Sequence, residues 1–386
     1  MEKIKVGLVT KEWPPQVYGG AGVHVVQLAQ ALQKMSEVSI TVHCFGGKRE
    51  NVLGYATPAE FSGANPALQA IATDLVIANA LADSNIVHTH TWYANMAGHF
   101  ASLLYGIPHI MSAHSLEPLR PWKAEQLGGG YQLSSWAEKT AIESAAAVIA
   151  VSDSMRNDVL DAYPNVDPLK VVTIRNGVDT DKFTPHFDHS ILEKYGISGR
   201  YALFVGRITR QKGLAHLLRA WKQVPPDYGL VLAAGSPDET LIGEEVAVLI
   251  ADLKRTRKNI WWLEEMLPHD ELTALLTSAD LFLCPSIYEP LGIVNLEAMG
   301  CATAVLASAV GGIPEVVKHG VTGELVSYTP DHQVFETDFQ EAIIRLMEQP
   351  DLLAKYGAAG RARAQKEFDW DAVARATVKL YAQLCR

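Results

Sequence analysis

The chain has 386 residues, 48% of them hydrophobic and 20% charged, with a formal net charge of −10. That length exceeds one ordinary core and sets an expectation of two domains, while the acidic balance argues against nucleic acid or an anionic membrane as partner. No apolar run reaches membrane-span length, MEKIKVGLVTKEW has no signal-peptide h-region, and Cys44, Cys284, Cys301 and Cys385 lack C-x-x-C spacing. A cytoplasmic protein with neither disulfides nor a structural zinc site is the expectation.

In chain order, strands are expected at Val6–Thr10, Ser39–Phe45, Ile86–Thr89, His109–Ala113, Ala147–Val151 and Val171–Ile174. Between them lie helical patterns at Ala21–Gln33, Pro66–Ala82, Ala94–Leu104, Ser134–Ala145 and Met155–Ala162. Such alternation predicts a parallel, doubly wound sheet. Asn176–His189 reads as a linker, after which the alternation restarts: strand Tyr201–Val205, helix Gly213–Lys222, strands Gly229–Ala233 and Asn259–Leu263, helix Asp270–Ser278, strand Leu281–Cys284, helix Gly292–Gly300 and strand Thr303–Ala307. A final amphipathic helix covers Trp370–Leu384, capped by Asp369 or Asp371, and the first domain is the candidate for its packing partner. The α/β fold class is thus two Rossmann-like domains, 1–180 and 181–366, with 367–386 crossing back to the first. Ligands of open α/β sheets bind beyond the strand C-termini, so a shared crevice is expected.

Four stretches carry chemistry. In EPLGIVNLE, Glu289 and Glu297 flank a Pro-Leu-Gly step that opens a helix. Gly292 would admit a ligand to the backbone, and the Ile293 and Val294 amides suit a phosphate; taken alone, the two glutamates read equally well as helix-start residues. Gly19 and Gly20, in YGGAG after the first strand, fit a phosphate or sugar contact or simply a tight turn. In GRITRQKG, Gly206 precedes Arg207 and Lys212, a planar fork and a point charge able to hold a diphosphate, against the plain alternative of solvated loop cations. His114 ends a strand on the ligand side, and Arg120 and Lys123 follow it around Trp122, either gripping an anionic or carbohydrate acceptor or lying on a solvated loop. His88 and His90 look like a metal pair, but no third ligand follows at suitable spacing, which favours ordinary hydrogen bonding there. No G-x-S-x-G, Walker A or H-E-x-x-H sequence gives a hydrolase triad or P-loop a foothold.

Taken together, YGGAGVH, GRITRQKG, EPLGIVNLEAMG, Gly311-Gly312-Ile313-Pro314-Glu315 and Gly320-Val321-Thr322-Gly323 resemble the retaining glycosyltransferases of family 4, which share the GT-B architecture of two facing Rossmann-like domains. The resemblance spans essentially the whole chain. KEWPPQVYGGAGVHV, VHCFG, HTHTWYANMAGH and HSLEPLRPWKAEQLGGGYQLSSWAE look most like the short bacterial glycogen synthases grouped with α-maltose-1-phosphate synthases.

The resemblance implies roles. Arg207 and Lys212 would bind the nucleotide diphosphate and stabilise its charge on departure. Glu289 would hold donor-sugar hydroxyls, with Gly292, Ile293 and Val294 completing the contacts, and Glu297 would hold the ribose. Gly20, beside Gly19, would approach the diphosphate, and His114 would contact the donor glucose near its 6-hydroxyl. Catalysis would need no metal or other cofactor. The donor implied is a nucleotide sugar, ADP-glucose or UDP-glucose, and the acceptor glucose 1-phosphate or an α-1,4-glucan end; Arg120 and Lys123, by their charge and their place just after His114, are the candidate acceptor cations. A homo-oligomer is compatible with all of this. The rival readings are another family 4 transfer (sucrose or glycolipid synthesis) and a non-catalytic sugar-binding regulator.

Overall fold

The computed structural model describes residues 3–17, 19–124 and 128–385, and within them the alternating pattern folds into two parallel sheets. The first contains β1 (Ile4–Thr10), β2 (Val38–Phe45), β3 (Leu53–Tyr55), β4 (Ile86–His90), β5 (His109–Ala113), β6 (Ala147–Ala150) and β7 (Val171–Thr173), ordered β3-β2-β1-β4-β5-β6-β7. The second contains β8 (Tyr201–Ile208), β9 (Gly229–Pro237), β10 (Ile260–Leu263), β11 (Leu281–Cys284), β12 (Ala304–Ser308) and β13 (Gly323–Val326), ordered β10-β9-β8-β11-β12-β13. Both are Rossmann-like: the order reverses beside β1 in one and beside β8 in the other, so each has a switch point at its strand C-termini.

Residues 1–177 and 370–386 form one compact unit, and residues 178–369 the other. In the first, Val6, Leu28, Leu32, Ile86, Ile110 and Ile149 share a core with Trp370, Val373, Ala374, Leu380 and Tyr381 of the terminal helix Trp370–Leu384. That helix returns to the first sheet because its apolar face meets the apolar faces of the helix Gly20–Gln33 and the central strands. In the second unit, Phe204, Leu217, Leu218, Trp221, Leu232, Leu283, Leu306, Phe335, Phe339 and Ile343 form the core. The central strands are buried on both faces, as helices on either side of a parallel sheet require.

Two edge strands, β3 and β13, escape the sequence reading because they are short and flanked by turns. The helices Thr240–Thr256, His332–Met347 and Pro350–Glu367 were likewise not assigned from the pattern. Caps explain why several helices start where they do. Asn65 Oδ1 accepts the Ala67 N–H ahead of Pro66, and Ser152 Oγ accepts the Met155 N–H. The four cysteines are free thiols, and among the described residues no helix is long and apolar enough to cross a membrane.

Candidate active site

At the switch point of the second sheet, β8 runs three residues further than expected, so Gly206 and Arg207 lie on the strand rather than on the loop after it. Arg207 is half-exposed, and its Nη1 donates to Asp238 Oδ1 at 2.6 Å. The 3₁₀ turn Arg210–Lys212 follows, held by Thr209 Oγ1 accepting the Lys212 N–H. Lys212 Nζ then donates to Glu289 Oε2 at 2.6 Å, with both side chains largely buried. Burial disfavours the Lys212 ammonium, but the Glu289 carboxylate more than offsets this and holds it above its ordinary value.

Glu289 lies on the loop after β11, where Ser286 Oγ also approaches its carboxylate at 3.5 Å. Its backbone carbonyl accepts the Gly312 N–H at 3.0 Å. Gly311 has φ +51°, and a Cβ there would sit 2.0 Å from that carbonyl oxygen. Only glycine permits this approach.

Gly292 heads the helix Ile293–Gly300 with φ 100° and ψ 53°, and no side chain caps it. The helix has no acidic residue in its first turn, so the positive end at Ile293 and Val294 is not neutralised from within. Asn295 is fully buried beside Gly292, and neither its Oδ1 nor its Nδ2 has a hydrogen-bond partner. Unpaired amide atoms at that depth are uncommon. The sequence reading missed Asn295; the available signal was a polar residue at a core-facing position of an otherwise apolar helix. Glu297 lies on the same helix, and burial pushes its carboxyl up to about 7, with Lys212 partly offsetting the rise.

At the first sheet's switch point, Gly19 heads the helix Gly20–Gln33 in extended conformation, and its N–H donates to Glu12 Oε2 at 2.9 Å. An anionic ligand at that amide must displace a carboxylate of the chain itself. His88 uses both ring nitrogens, Nδ1 with Tyr381 Oη at 2.7 Å and Nε2 with Ser112 Oγ at 2.8 Å, the ordinary bonding expected of it. His90 Nδ1 instead lies 3.0 Å from His114 Nε2. Burial pulls the His114 imidazole down to about 4, so it is neutral at pH 7.

Arg120 and Lys123 are less exposed than a solvated loop would make them. Arg120 Nη2 and Lys123 Nζ donate to Glu117 Oε1 at 2.6 and 3.3 Å, and the Glu117 side chain is 0% exposed. Burial, then the Arg120 charge, pulls Lys123 down to about 8, with Glu117 opposing. Beneath them, Glu138 accepts from the Glu117 N–H and Tyr163 Oη, and burial together with the Glu117 charge pushes it up to about 7. Lys11, which the sequence reading passed over, places its Nζ 3.7 Å from the Tyr93 ring centroid, and Lys123 lies 5.8 Å from the same centroid. Its signal was its place directly after β1, on the ligand side of the sheet.

Two family models match, "Glycosyltransferase Family 4" over residues 18–182 and "Glycosyl transferases group 1" over 191–363. The chain is 50% identical to the alpha-maltose-1-phosphate synthase of Mycolicibacterium smegmatis, covering 99% of this chain and 100% of that protein. Among solved structures, the fold matches sucrose-phosphate synthase from Thermosynechococcus elongatus with TM-score 0.82 at 23% identity, covering 99% of each chain. It also matches Anabaena HepE in complex with UDP-glucose, with TM-score 0.78 at 19% identity over 98% of this chain and 100% of that one. With identity over its full length to such a relative and the fold of GT-B enzymes, the chain belongs to the family 4 glycosyltransferases.

Proposed function

We propose that this hexosyltransferase moves glucose, with retention and without a metal, from a nucleotide sugar to glucose 1-phosphate, giving α-maltose 1-phosphate. The relative that is half identical over the whole chain bears the name of that product's synthase. The observation that carries the reading is the Lys212–Glu289 pair at 2.6 Å in the same unit as the uncapped helix start at Gly292 and the unpartnered Asn295. A buried cation, a helix positive end and a polar side chain without a partner suit a sugar diphosphate.

In this reading Lys212, Arg207 and the Ile293 and Val294 amides meet the negative charge that builds on the diphosphate as the glycosidic bond breaks. Each such contact is worth ~2.7–4 kcal/mol by analogy with an oxyanion-hole donor. Glu289 keeps Lys212 charged and accepts from donor-sugar hydroxyls. Glu297, the one carboxyl on that helix beyond its first turn, takes the ribose. Gly19, Gly20, Gly206 and His114 complete the donor contacts, His114 as a neutral imidazole. In the first unit, Arg120 and Lys123, now joined by Lys11 around Tyr93, hold the acceptor phosphate. ADP-glucose is the donor assigned, in keeping with α-glucan synthesis, and UDP-glucose is the alternative.

The test is direct. The protein is incubated with ADP-glucose or UDP-glucose, with and without glucose 1-phosphate, and products are identified by mass. A disaccharide monophosphate that requires glucose 1-phosphate is the expected result. Extension of an α-1,4-glucan alone would replace this acceptor with a glucan end.

A further inference from the structure

Three imidazoles converge in the first unit from three separate elements: His24 from the helix Gly20–Gln33, His90 from the end of β4, and His114 just after β5. One nitrogen from each lies within 4.8 Å of the others. The His24 and His114 ring centroids are 4.6 Å apart, and those of His90 and His114 are 5.3 Å apart. His24 and His90 are buried, and three of their nitrogens (Nδ1 and Nε2 of His24, Nε2 of His90) have no hydrogen-bond partner. Asn176, also buried, lies beside His24. Each such ring nitrogen left unsatisfied costs ~1–3 kcal/mol, so the three call for an occupant.

We propose that His24, His90 and His114 form a binding site for a divalent transition-metal ion of the zinc class. The donor set is nitrogen alone, which suits zinc, cobalt, nickel or copper and excludes magnesium and calcium, whose ligands are oxygens. Burial, reinforced by neighbouring imidazoles at His24 and His90, holds the three rings neutral, the form that ligates. A tetrahedral ion ~2.0–2.1 Å from each nitrogen places them about 3.3 Å apart, so the rings must close in modestly. The 3.0 Å approach of His90 to His114 is already near that spacing. The His88 ring lies tilted against His90 with centroids 4.3 Å apart and is itself hydrogen-bonded to Tyr381 and Ser112, which supplies a second layer. His114 is only half-buried and opens the cluster to an entering ion. An ion held there also takes His114 away from substrate, a consequence that rests on the role proposed for His114 above.

The test uses the full chain stripped of metal and titrated with Zn²⁺ by equilibrium dialysis and with Co²⁺ by visible absorption. One tight equivalent is expected in the wild type, weakened by about a hundredfold in His24→Gln and in His90→Gln and unchanged in Cys385→Ser, which removes the exposed thiol. No uptake by the wild type, or uptake lost only in Cys385→Ser, would overturn the site. If both histidine variants fail to fold, X-ray absorption of the zinc-loaded wild type decides: scattering from three imidazoles supports the proposal, and sulfur or carboxylate ligation alone refutes it. Glucosyl transfer measured in the same titration separates the two readings. Inhibition tracking occupancy supports both, whereas zinc bound with activity intact keeps the site and removes His114 from the reaction.

Discussion

Lys212 and Glu289, 77 positions apart in sequence, meet through an ammonium–carboxylate bond of 2.6 Å. The pair joins the turn after β8 to the loop after β11, the two strands flanking the second sheet's switch point. It holds the Lys212 ammonium charged before any ligand arrives, and in the role proposed for it that is the preorganisation electrostatic catalysis requires.

Lys212→Ala should therefore lower kcat/KM by about a hundredfold or more, the effect of losing one preorganised donor to a developing charge. It should also lower the melting temperature, because Glu289 is left buried without its cation. Steady-state kinetics on a variant with native circular dichroism checks this, and unchanged turnover would remove Lys212 from the diphosphate site.

Arg120 and Lys123, the proposed acceptor cations, are coupled to a buried acid, so two effects should separate. Lys123→Ala should raise KM for glucose 1-phosphate about tenfold, the lower end of one charge-assisted bond, with donor KM unchanged. Arg120→Ala should cost stability as well, on the order of 3 kcal/mol, since Glu117 is fully buried. In the wild type the acceptor KM should climb between pH 7 and 9 as Lys123, at about 8, loses its proton. A double variant with a lower melting temperature but a flat acceptor KM would make these cations structural only.

Glu297 gives a second pH signature of opposite sense. Its folded value of about 7 lies above the ordinary 4.5, so between those values the folded chain binds more protons than the unfolded one. Stability contributed by this group is present below 4.5 and declines as pH rises toward 7, and Glu297→Gln should abolish that slope. In the role proposed for Glu297 the ribose hydroxyls donate to its carboxylate, so wild-type donor affinity should improve from pH 6 to 8 and stay level in the variant. Calorimetric donor titrations at several pH values check both.

Chelation should leave glucosyl transfer intact if, as proposed, the diphosphate charge is met by Arg207, Lys212 and helix-end amides. Assays with EDTA after metal stripping test this. Loss of activity with rescue by added Mg²⁺ or Mn²⁺ would defeat the metal-independent reading.

Much of this was legible in the sequence. Strand–helix alternation announced both sheets, and Gly292, Lys212 and Glu289 stand out because their motifs place charge and backbone at strand ends. The edge strands were not legible, since Leu53–Tyr55 is too short for a period to register. Nor was the histidine cluster: spacing around His88 and His90 offered no third ligand, because the partners arrive from His24 and His114 on other elements. Contacts of that kind exist only after folding. The tie of Arg120 and Lys123 to Glu117 was hidden for a different reason, as sequence does not reveal that Glu117 is buried.

The return of residues 370–384 to the first sheet bears on how the chain is made. Trp370, Val373, Ala374, Leu380 and Tyr381 belong to a core whose other members lie before residue 150. On a ribosome adding ~5–20 residues per second, that core waits on the order of ten seconds or more for residues 178–369 to be synthesised before its last helix exists. The second unit, continuous in sequence, can close in the meantime. The half of the molecule that emerges first is thus the half completed last.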